Sequence, residues 1–392
     1  MQFGVLVGLI FLFFVFTLLY NFSINGEQQF IYLADSFLHG QLHFREMPGT
    51  WWGDTTFANG RYYWPLGPFP ALILMPFVLI FGTSFLQGFL QFFLTLFNFY
   101  LLYKIALKIN YKKLDALWLA LAFVFASVYL GAAWISFGWQ FAEIFCVLLQ
   151  LMSIYEFLNR KRYCLIGIYS ALLFATRPTA GLGIVFFILA VIFSRDILKE
   201  KIKKLTFLLG PTVIVGALLL IYNYLRLGSF WNNGYMDAIL GSQTLISARE
   251  KFGLFKLRNI PTNLYYYFLK MPEPVLLKGS YLLKPPYLKV SPWGLSFFVM
   301  SPIFLWMFKI SIKEKITKYA LLTSAAILFF LLAYWGTGYV QLGPRYILDL
   351  LPFAFLAMLY GFKEKKLNWR QKLVISISCF TNLFFFFTLY AI

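Results

Sequence analysis

Long apolar stretches separated by short polar segments recur along the whole chain. Eleven of these stretches predict membrane-spanning helices, because about 20 apolar residues in a helix cross a hydrocarbon core of about 30 Å. The predicted spans are 2–20, 84–104, 114–134, 138–158, 162–176, 179–195, 204–225, 291–309, 319–336, 345–361 and 373–391. The pattern therefore predicts an all-α fold, a polytopic membrane helical bundle that forms one integral domain over 1–392 without a soluble domain.

One apolar segment, 70–82, is too short to span the membrane. It has about 13 residues, and prolines at 65, 68, 70 and 76 favour a broken, shallow element over a straight helix. We interpret it as a helix embedded in the outer interface or a re-entrant segment.

Composition and charge agree with a membrane protein. Of 392 residues, 61% are hydrophobic and 12% charged, which is far too apolar for a water-soluble chain of this length. The net charge of +19 does not indicate a nucleic-acid partner, because 21 of the 34 basic residues lie in five short loops. Short basic loops mark the cytoplasmic side, which predicts an N-terminus inside and a C-terminus outside. The basic segments are 104–113, 159–162, 195–204, 309–318 and 363–372.

Cysteine and histidine supply no predicted site. The three cysteines are scattered in or beside apolar spans, without the spacing of a disulfide framework or a metal site. His39 and His43 share one loop without a ligand pattern, and the chain has no Asp-x-Asp sequence. We expect no metal and no cofactor.

Two long loops, about 21–69 and 226–290, are predicted on the outer side. Both are rich in aromatic residues, which suit contact with lipid headgroups. In the first, EQQFIYLADSFLHG predicts a short amphipathic helix that ends near Gly40. Glu27 falls at the edge of its apolar face, where a raised pKa would suit a general base. The alternative is an acid of the first turn favoured by the helix dipole.

Charged residues gather at the same outer ends of the spans. Arg345 and Asp349, in GPRYILDLLP, are four residues apart, which places them on one helix face within reach of each other. They are either an anchoring salt bridge or part of a functional site. Glu143 lies one turn into the span 138–158. Arg177, in FATRPTAG, needs an anion, either a lipid-linked phosphate or the headgroup of a surrounding lipid. Arg61 lies on the same side.

These residues suggest carboxylates that meet a lipid-linked phosphate at the outer interface. Such a site could transfer a sugar from a polyprenyl phosphate to a hydroxyl or amine. One carboxylate would deprotonate the acceptor while arginines neutralise the departing phosphate.

The chain resembles the GT-C superfamily of multi-pass glycosyltransferases, in particular the protein O-mannosyltransferases and the lipid A aminoarabinose transferase. The resemblance extends over nearly the whole chain, and that superfamily has its large outer loops after the first and seventh spans, as predicted here. It is carried by GEQQFIYLADSFLHGQL, GRYYWPLGPFPALILMP, FATRPT, YNYLRLGSFWNNGY and GPRYILDLLPF.

The resemblance implies roles for individual residues. The family's first loop begins with Asp-Glu, whose Asp is the catalytic base, but the pair here is Gly26-Glu27. Either Glu27 has taken over this role or the base is Asp54. The resemblance implies that Glu143 matches an acid of the fourth span and that Arg345, with Tyr346 beside it, binds the phosphate. The expected substrate-binding set is Glu143, Arg61, Arg177, Arg345, Tyr346 and Asp349.

The expected partners are a polyprenyl-phosphate-linked sugar donor, a lipid, glycan or protein acceptor, and membrane lipids. The expected location is a bacterial-type cytoplasmic membrane, with the site facing outside. Three alternatives stay open: a transporter or flippase of lipid-linked sugars, an oligosaccharide polymerase or ligase, and a non-catalytic relative. Charges at span ends rather than at the bilayer midplane favour chemistry over transport.

Overall fold

The computed structural model describes residues 2–24, 26–46, 53–239, 243–362 and 364–390. The protein is mostly helical, with 67% helix and 5% strand. The helices are α1 (Gln2–Ser23), α2 (Gln29–Leu38), α3 (Phe69–Phe81), α4 (Gln87–Lys108), α5 (Lys113–Val124), α6 (Tyr129–Trp134), α7 (Gly138–Asn159), α8 (Tyr163–Phe174), α9 (Pro178–Gly181), α10 (Ile184–Ile192), α11 (Leu198–Leu227), α12 (Gln243–Phe252), α13 (Ile260–Leu264), α14 (Phe297–Met300), α15 (Lys315–Ala333), α16 (Leu351–Gly361) and α17 (Trp369–Tyr390).

Strands form two antiparallel hairpins, one in each long loop. The first pairs β1 (Thr56–Ala58) with β2 (Arg61–Tyr63), and the second pairs β3 (Glu273–Leu276) with β4 (Leu283–Lys289). Both long loops therefore have secondary structure of their own.

Six helices of the described chain are long and apolar enough to cross a membrane: α1, α4, α7, α11, α15 and α17. This is compatible with an integral membrane protein. The other five predicted spans are shorter or interrupted. The segment 114–134 divides into α5 and α6, 162–176 contains only α8, 179–195 contains α9 and α10, 291–309 contains α14 and the 3₁₀ helix Pro302–Lys309, and 345–361 contains the 3₁₀ helix Arg345–Asp349 and α16.

The short helix predicted in the first loop and the short apolar segment predicted after it are both helical. Helix α3 has 13 residues with Pro76 inside it, so at 1.5 Å per residue it is about 20 Å long. In α2, Phe30 and Leu33 are fully buried, and Gly40 has a φ of +68° just beyond the helix.

Glu27 precedes α2, so its predicted position on that helix is wrong. The helix begins two residues later, and the backbone carbonyl of Glu27 accepts a hydrogen bond from Gly138 N at 3.0 Å instead. Glu27 is therefore held against the first residue of α7.

Helix α7 is the central helix of the bundle. In its most apolar 18-residue window 83% of the residues are buried, against 6% in α11. It packs against α4, α8 and α16. Because Glu143 lies one turn from its start, this acid is enclosed by protein on all sides.

The two long loops meet beside the start of α7. Asp54 N donates to Ile239 O, and Ile239 N donates to Thr55 O, both at 2.7 Å. The Thr56 hydroxyl donates to Gly234 O at 2.7 Å. Gly234 has a φ of +89°, and a Cβ there would lie 2.7 Å from Thr56 Oγ1, so this close approach requires glycine.

The first loop also anchors the hairpin between α8 and α9. Phe69 N donates to Ala175 O at 3.1 Å, and a Cβ on Gly67 would lie 2.0 Å from the same oxygen. The segments GRYYWPLGPFPALILMP and FATRPT are therefore in direct contact, which fixes the backbone next to Arg177.

Candidate functional site

A carboxylate at the start of α7 binds two arginines from distant parts of the chain. Glu143 is fully buried, and its Oε1 lies 3.2 Å from a terminal nitrogen of Arg345 and 3.4 Å from one of Arg177. Its other oxygen, Oε2, has no hydrogen-bond partner among the described residues.

A second buried carboxylate, Asp349, completes this cluster. Arg177 donates to it from Nε at 3.1 Å and from a terminal nitrogen at 3.2 Å, and Thr179 adds its hydroxyl. The Gln150 side chain donates to the backbone oxygen of Asp349 at 2.7 Å. Such two-pronged guanidinium–carboxylate pairs are among the stronger hydrogen bonds in proteins.

Local backbone structure explains how Arg177 reaches these acids. It lies in an extended conformation directly before α9, and Pro178 is the first residue of that helix. Proline favours this first position and disfavours a helical conformation in the residue before it. The side chain of Arg177 thus leaves the helical path of α8.

Arg345 and Asp349 do not form the predicted pair with each other. They lie at the two ends of a 3₁₀ helix, in which residues four apart are rotated by about 120° rather than the 40° of an α-helix. Arg345 therefore contacts Glu143, and Asp349 contacts Arg177.

The protein itself supplies two anions to Arg177, the carboxylates of Glu143 and Asp349. Both of its carboxylate partners are fully buried, and Arg177 is only 6% exposed. The two acids and two bases of this cluster, Glu143, Asp349, Arg177 and Arg345, balance in charge, as buried ions must. We call these four residues the buried charge cluster.

Aromatic rings pack against the guanidinium groups. The ring centre of Tyr346 lies 5.1 Å from the guanidinium carbon of Arg345 and 5.4 Å from that of Arg177. The ring centre of Trp139 lies 5.9 Å from the guanidinium carbon of Arg345. These distances are within cation–π range, so Arg345 has a ring on each of two residues beside it and Arg177 has one.

Asp54 lies at the edge of the buried charge cluster. It accepts a hydrogen bond from Trp139 Nε1 at 3.0 Å and has a φ of +64°. Burial raises the pKa of Asp54, although the charge of Arg345, the bond from Trp139 and the charge of Arg249 each act to lower it. A carboxyl with a raised pKa is suited to exchange a proton.

Glu27 is the second acid at this edge. Its side chain accepts a hydrogen bond from Gln29 at 3.3 Å. Burial raises the pKa of Glu27, the bond from Gln29 lowers it, the charge of Asp54 raises it and that of Arg345 lowers it. Both candidate bases therefore interact with the same arginine, and we call them the rim carboxylates.

A cavity of about 150 Å³ adjoins the buried charge cluster. Its walls combine the hairpin that carries Arg177, the second long loop, the end of α15 and the first turn of α7. The lining residues are Trp139, Arg177, Pro178, Thr179, Asn233, Tyr235, Leu254, Phe255, Leu331, Tyr334 and Tyr346. Five are aromatic, and Arg177 supplies the only charged side chain of this lining.

Arg61 is the one predicted site residue that the structure does not bring to this region. Its side chain is exposed on β2, near the turn of the first hairpin. Its charge acts on His43, whose pKa is lowered by burial and then by Arg61. The remaining seven, Glu27, Asp54, Glu143, Arg177, Arg345, Tyr346 and Asp349, interact with one another.

Sequence reasoning missed several residues of the site. Trp139 lies one turn before Glu143 on the same face of α7, a spacing that could have identified it. Asn233 and Tyr235 end the segment YNYLRLGSFWNNGY and could have been read from it. The contribution of Tyr334 has no signal in the sequence that we recognise.

Comparison with protein-family models, with curated proteins and with solved structures found no match.

Proposed function

We propose that this protein transfers a sugar from a polyprenyl-phosphate donor to an acceptor at the outer face of a bacterial-type cytoplasmic membrane, as a GT-C-like enzyme. In this proposal the shorter helices cross the membrane together with the six long ones, which gives about eleven crossings. The acceptor is a lipid, glycan or protein that carries a hydroxyl or amine.

One observation carries the proposal: two buried arginines lie beside two partly or fully buried carboxyls, Glu27 and Asp54, and one of these arginines, Arg177, also lines an aromatic cavity. Glycosyl transfer from a phosphate carrier needs a base for the acceptor, a cation for the departing phosphate and a surface for the sugar. Each of these three elements has a candidate within this region.

Arg345 is the candidate ligand of the phosphate. Its Nε is buried and has no hydrogen-bond partner among the described residues, whereas Arg177 uses both its Nε and its terminal nitrogens on Asp349 and Glu143. Guanidinium suits phosphate because it donates several hydrogen bonds from one plane. Arg177 then acts as a positioning residue that holds Glu143 and Asp349.

Asp54 is the candidate base. It interacts with Arg345 and is held by Trp139, whose ring lines the cavity. In the reaction, the Asp54 carboxylate accepts the acceptor's proton as the acceptor oxygen bonds to the anomeric carbon. The bond from that carbon to the phosphate oxygen breaks, and its electron pair leaves with the phosphate. Glu27 is the alternative base.

The cavity suits one sugar ring. A void of about 150 Å³ holds a six-membered ring such as benzene, so this cavity has room for the ring of one sugar but not for a second sugar unit. The flat faces of Trp139, Tyr235 and Tyr346 offer apolar contact to the C–H face of a sugar, while Asn233 and Thr179 offer hydrogen bonds to its hydroxyls.

The test is transfer by purified protein in detergent, without vesicles, with radiolabelled prenyl-phosphate sugars and a detergent extract of whole cell envelopes as the source of lipid, glycan and protein acceptors. We expect label in a new product and a matching release of prenyl phosphate. A flippase gives no product in detergent, so absence of transfer with every donor, from protein that stays folded, would reject the proposal. Asp54→Asn is the matched control variant.

A further inference from the structure

The 273–289 hairpin, formed by β3 and β4, is the most exposed apolar element of the second long loop. Seven large apolar side chains between 276 and 288 are at least two-fifths exposed, and Tyr281 at the turn is 88% exposed. An isolated two-stranded hairpin is only marginally stable in water. Its exposed apolar surface therefore calls for something to cover it.

Beyond Glu273, the charged residues of this hairpin are all lysines. Lys278, Lys284 and Lys289 are exposed, and no acidic residue lies between 274 and 290. Glu273, at the start of β3, is paired with Lys270 at 2.7 Å. Lysines among exposed apolar and aromatic residues are typical of segments that lie in a headgroup layer.

The position of the hairpin supports the same conclusion. Val290, directly after β4, is buried and donates its N–H to the Thr388 hydroxyl at 3.3 Å. Thr388 lies two residues before the end of α17, one of the six membrane-length helices. The base of the hairpin, where Glu273 pairs with Lys289, therefore lies beside the end of a membrane-length helix, and seven residues of β4 extend for about 23 Å from it.

We propose that the 273–289 hairpin docks into the outer leaflet of the membrane, with its exposed leucine and tyrosine side chains among the acyl chains and its lysines on anionic phospholipid headgroups. This inference does not depend on sugar transfer. The docked hairpin would anchor the second long loop, which also supplies Asn233, Tyr235, Leu254 and Phe255 to the cavity wall.

The test places an environment-sensitive fluorophore on Tyr281→Cys in full-length protein reconstituted in nanodiscs. Cys164 is the exposed native cysteine and is replaced by serine in the background. The matched control carries the label on Glu250→Cys, an exposed acidic position of α12 in the same loop. Nanodiscs contain either phosphatidylcholine alone or phosphatidylcholine with phosphatidylglycerol, each with and without quencher-bearing acyl chains.

We expect blue-shifted emission and quenching at 281 but not at 250, with quenching at 281 about twofold stronger in the anionic nanodiscs. In the variant Lys278→Gln/Lys284→Gln/Lys289→Gln, quenching at 281 should be equal in the two kinds of nanodisc. Emission at 281 that matches the control in both lipids overturns the docking, and equal quenching in both lipids overturns the role of anionic headgroups. Neither readout requires an active enzyme.

Discussion

Helix α7 carries one acid at each end, and the two acids have very different surroundings. Glu156, near the end predicted to be cytoplasmic, pairs with Arg162 at 2.8 Å, and Arg162 is 54% exposed. Glu143, near the other end, is fully buried and pairs with two arginines. The partner of Glu156 is six residues away, whereas those of Glu143 are 34 and 202 residues away.

This contrast distinguishes a local ion pair at the Glu156 end from a cluster assembled from distant segments at the Glu143 end. Glu156 is itself only 5% exposed, but Arg162 is half exposed, so water can reach the Glu156 carboxylate from that side when Arg162 is removed. Ion pairs that water can reach contribute less to stability than fully buried ones. The buried charge cluster joins three distant segments, and removal of one member leaves the others charged without solvent. We therefore expect effects on folding and function to be concentrated at the Glu143 end.

The largest expected effect is that of Arg177→Ala. It leaves Asp349 without its ion-pair partner and Glu143 with one arginine only, and breaking a buried pair destabilises a protein by about 3–5 kcal/mol. Thermal unfolding in detergent measures this. Arg177→Lys keeps the positive charge but cannot form the two-pronged bond. Its melting temperature should therefore lie between those of the wild type and Arg177→Ala. A melting temperature for Arg177→Ala equal to wild type would contradict the importance of the cluster.

Next is Asp54→Asn, which removes the candidate base without removing a buried ion-pair partner. We expect turnover to fall by about 10²- to 10⁴-fold, with donor binding and melting temperature nearly unchanged. Radiolabel transfer and donor binding are measured on the same preparation. Glu27→Gln is the matched comparison. If it causes the larger loss while Asp54→Asn stays active, Glu27 is the base.

Arg345→Gln tests the phosphate role. We expect weaker binding of prenyl phosphate, by about tenfold or more, because a hydrogen bond to a charged group contributes about 1.5–3 kcal/mol. A titration with prenyl phosphate alone, without sugar, isolates this contact. Affinity equal to wild type would assign Arg345 to the packing of Glu143 only.

The pH dependence of activity and of stability should reveal the titration of Asp54, one of the two rim carboxylates. Because the pKa of Asp54 is raised above its ordinary 3.8, activity should fall as pH decreases through the raised value. Stability should change with pH in the opposite direction to activity. Between pH 3.8 and the pKa of Asp54 in the folded protein, the folded chain binds more protons than the unfolded chain. The free energy of unfolding therefore decreases as pH rises through this range. Asp54→Asn should flatten both profiles, and unchanged profiles would exclude Asp54 as their source.

The smallest effect should come from Arg162→Ala at the opposite end of α7. We expect transfer activity to stay at the wild-type level and the melting temperature to change by about 2 °C or less. A loss comparable to that of Arg177→Ala would remove the distinction between the two ends of the helix.

Much of this arrangement could be predicted from local patterns. Long apolar stretches identify the six membrane-length helices, and the period of Phe30, Leu33 and Ala34 identifies α2. The grouping of Glu143, Arg177, Arg345 and Asp349 followed from a general rule, that charges beside apolar spans need partners.

Other features could not be read from local patterns. The pairing of Arg345 with Asp349 was expected from α-helical spacing, but a 3₁₀ helix turns the two side chains apart. The apolar content of the shorter predicted spans also predicted one unbroken helix for each. Apolar content does not indicate where a helix is interrupted, as it is between α5 and α6.

The sequence by itself determined which segments are apolar, which residues carry charge and where helices can start and stop, because these depend on neighbours within a few positions. Tertiary structure alone decided that Arg177 binds Asp349, that Trp139 holds Asp54 and that the second loop closes the cavity. The physical reason is distance along the chain. The partner of a buried ion is the opposite charge that the packing of remote helices brings within about 3 Å of it. The spacing of residues along the chain does not reveal which residue that is.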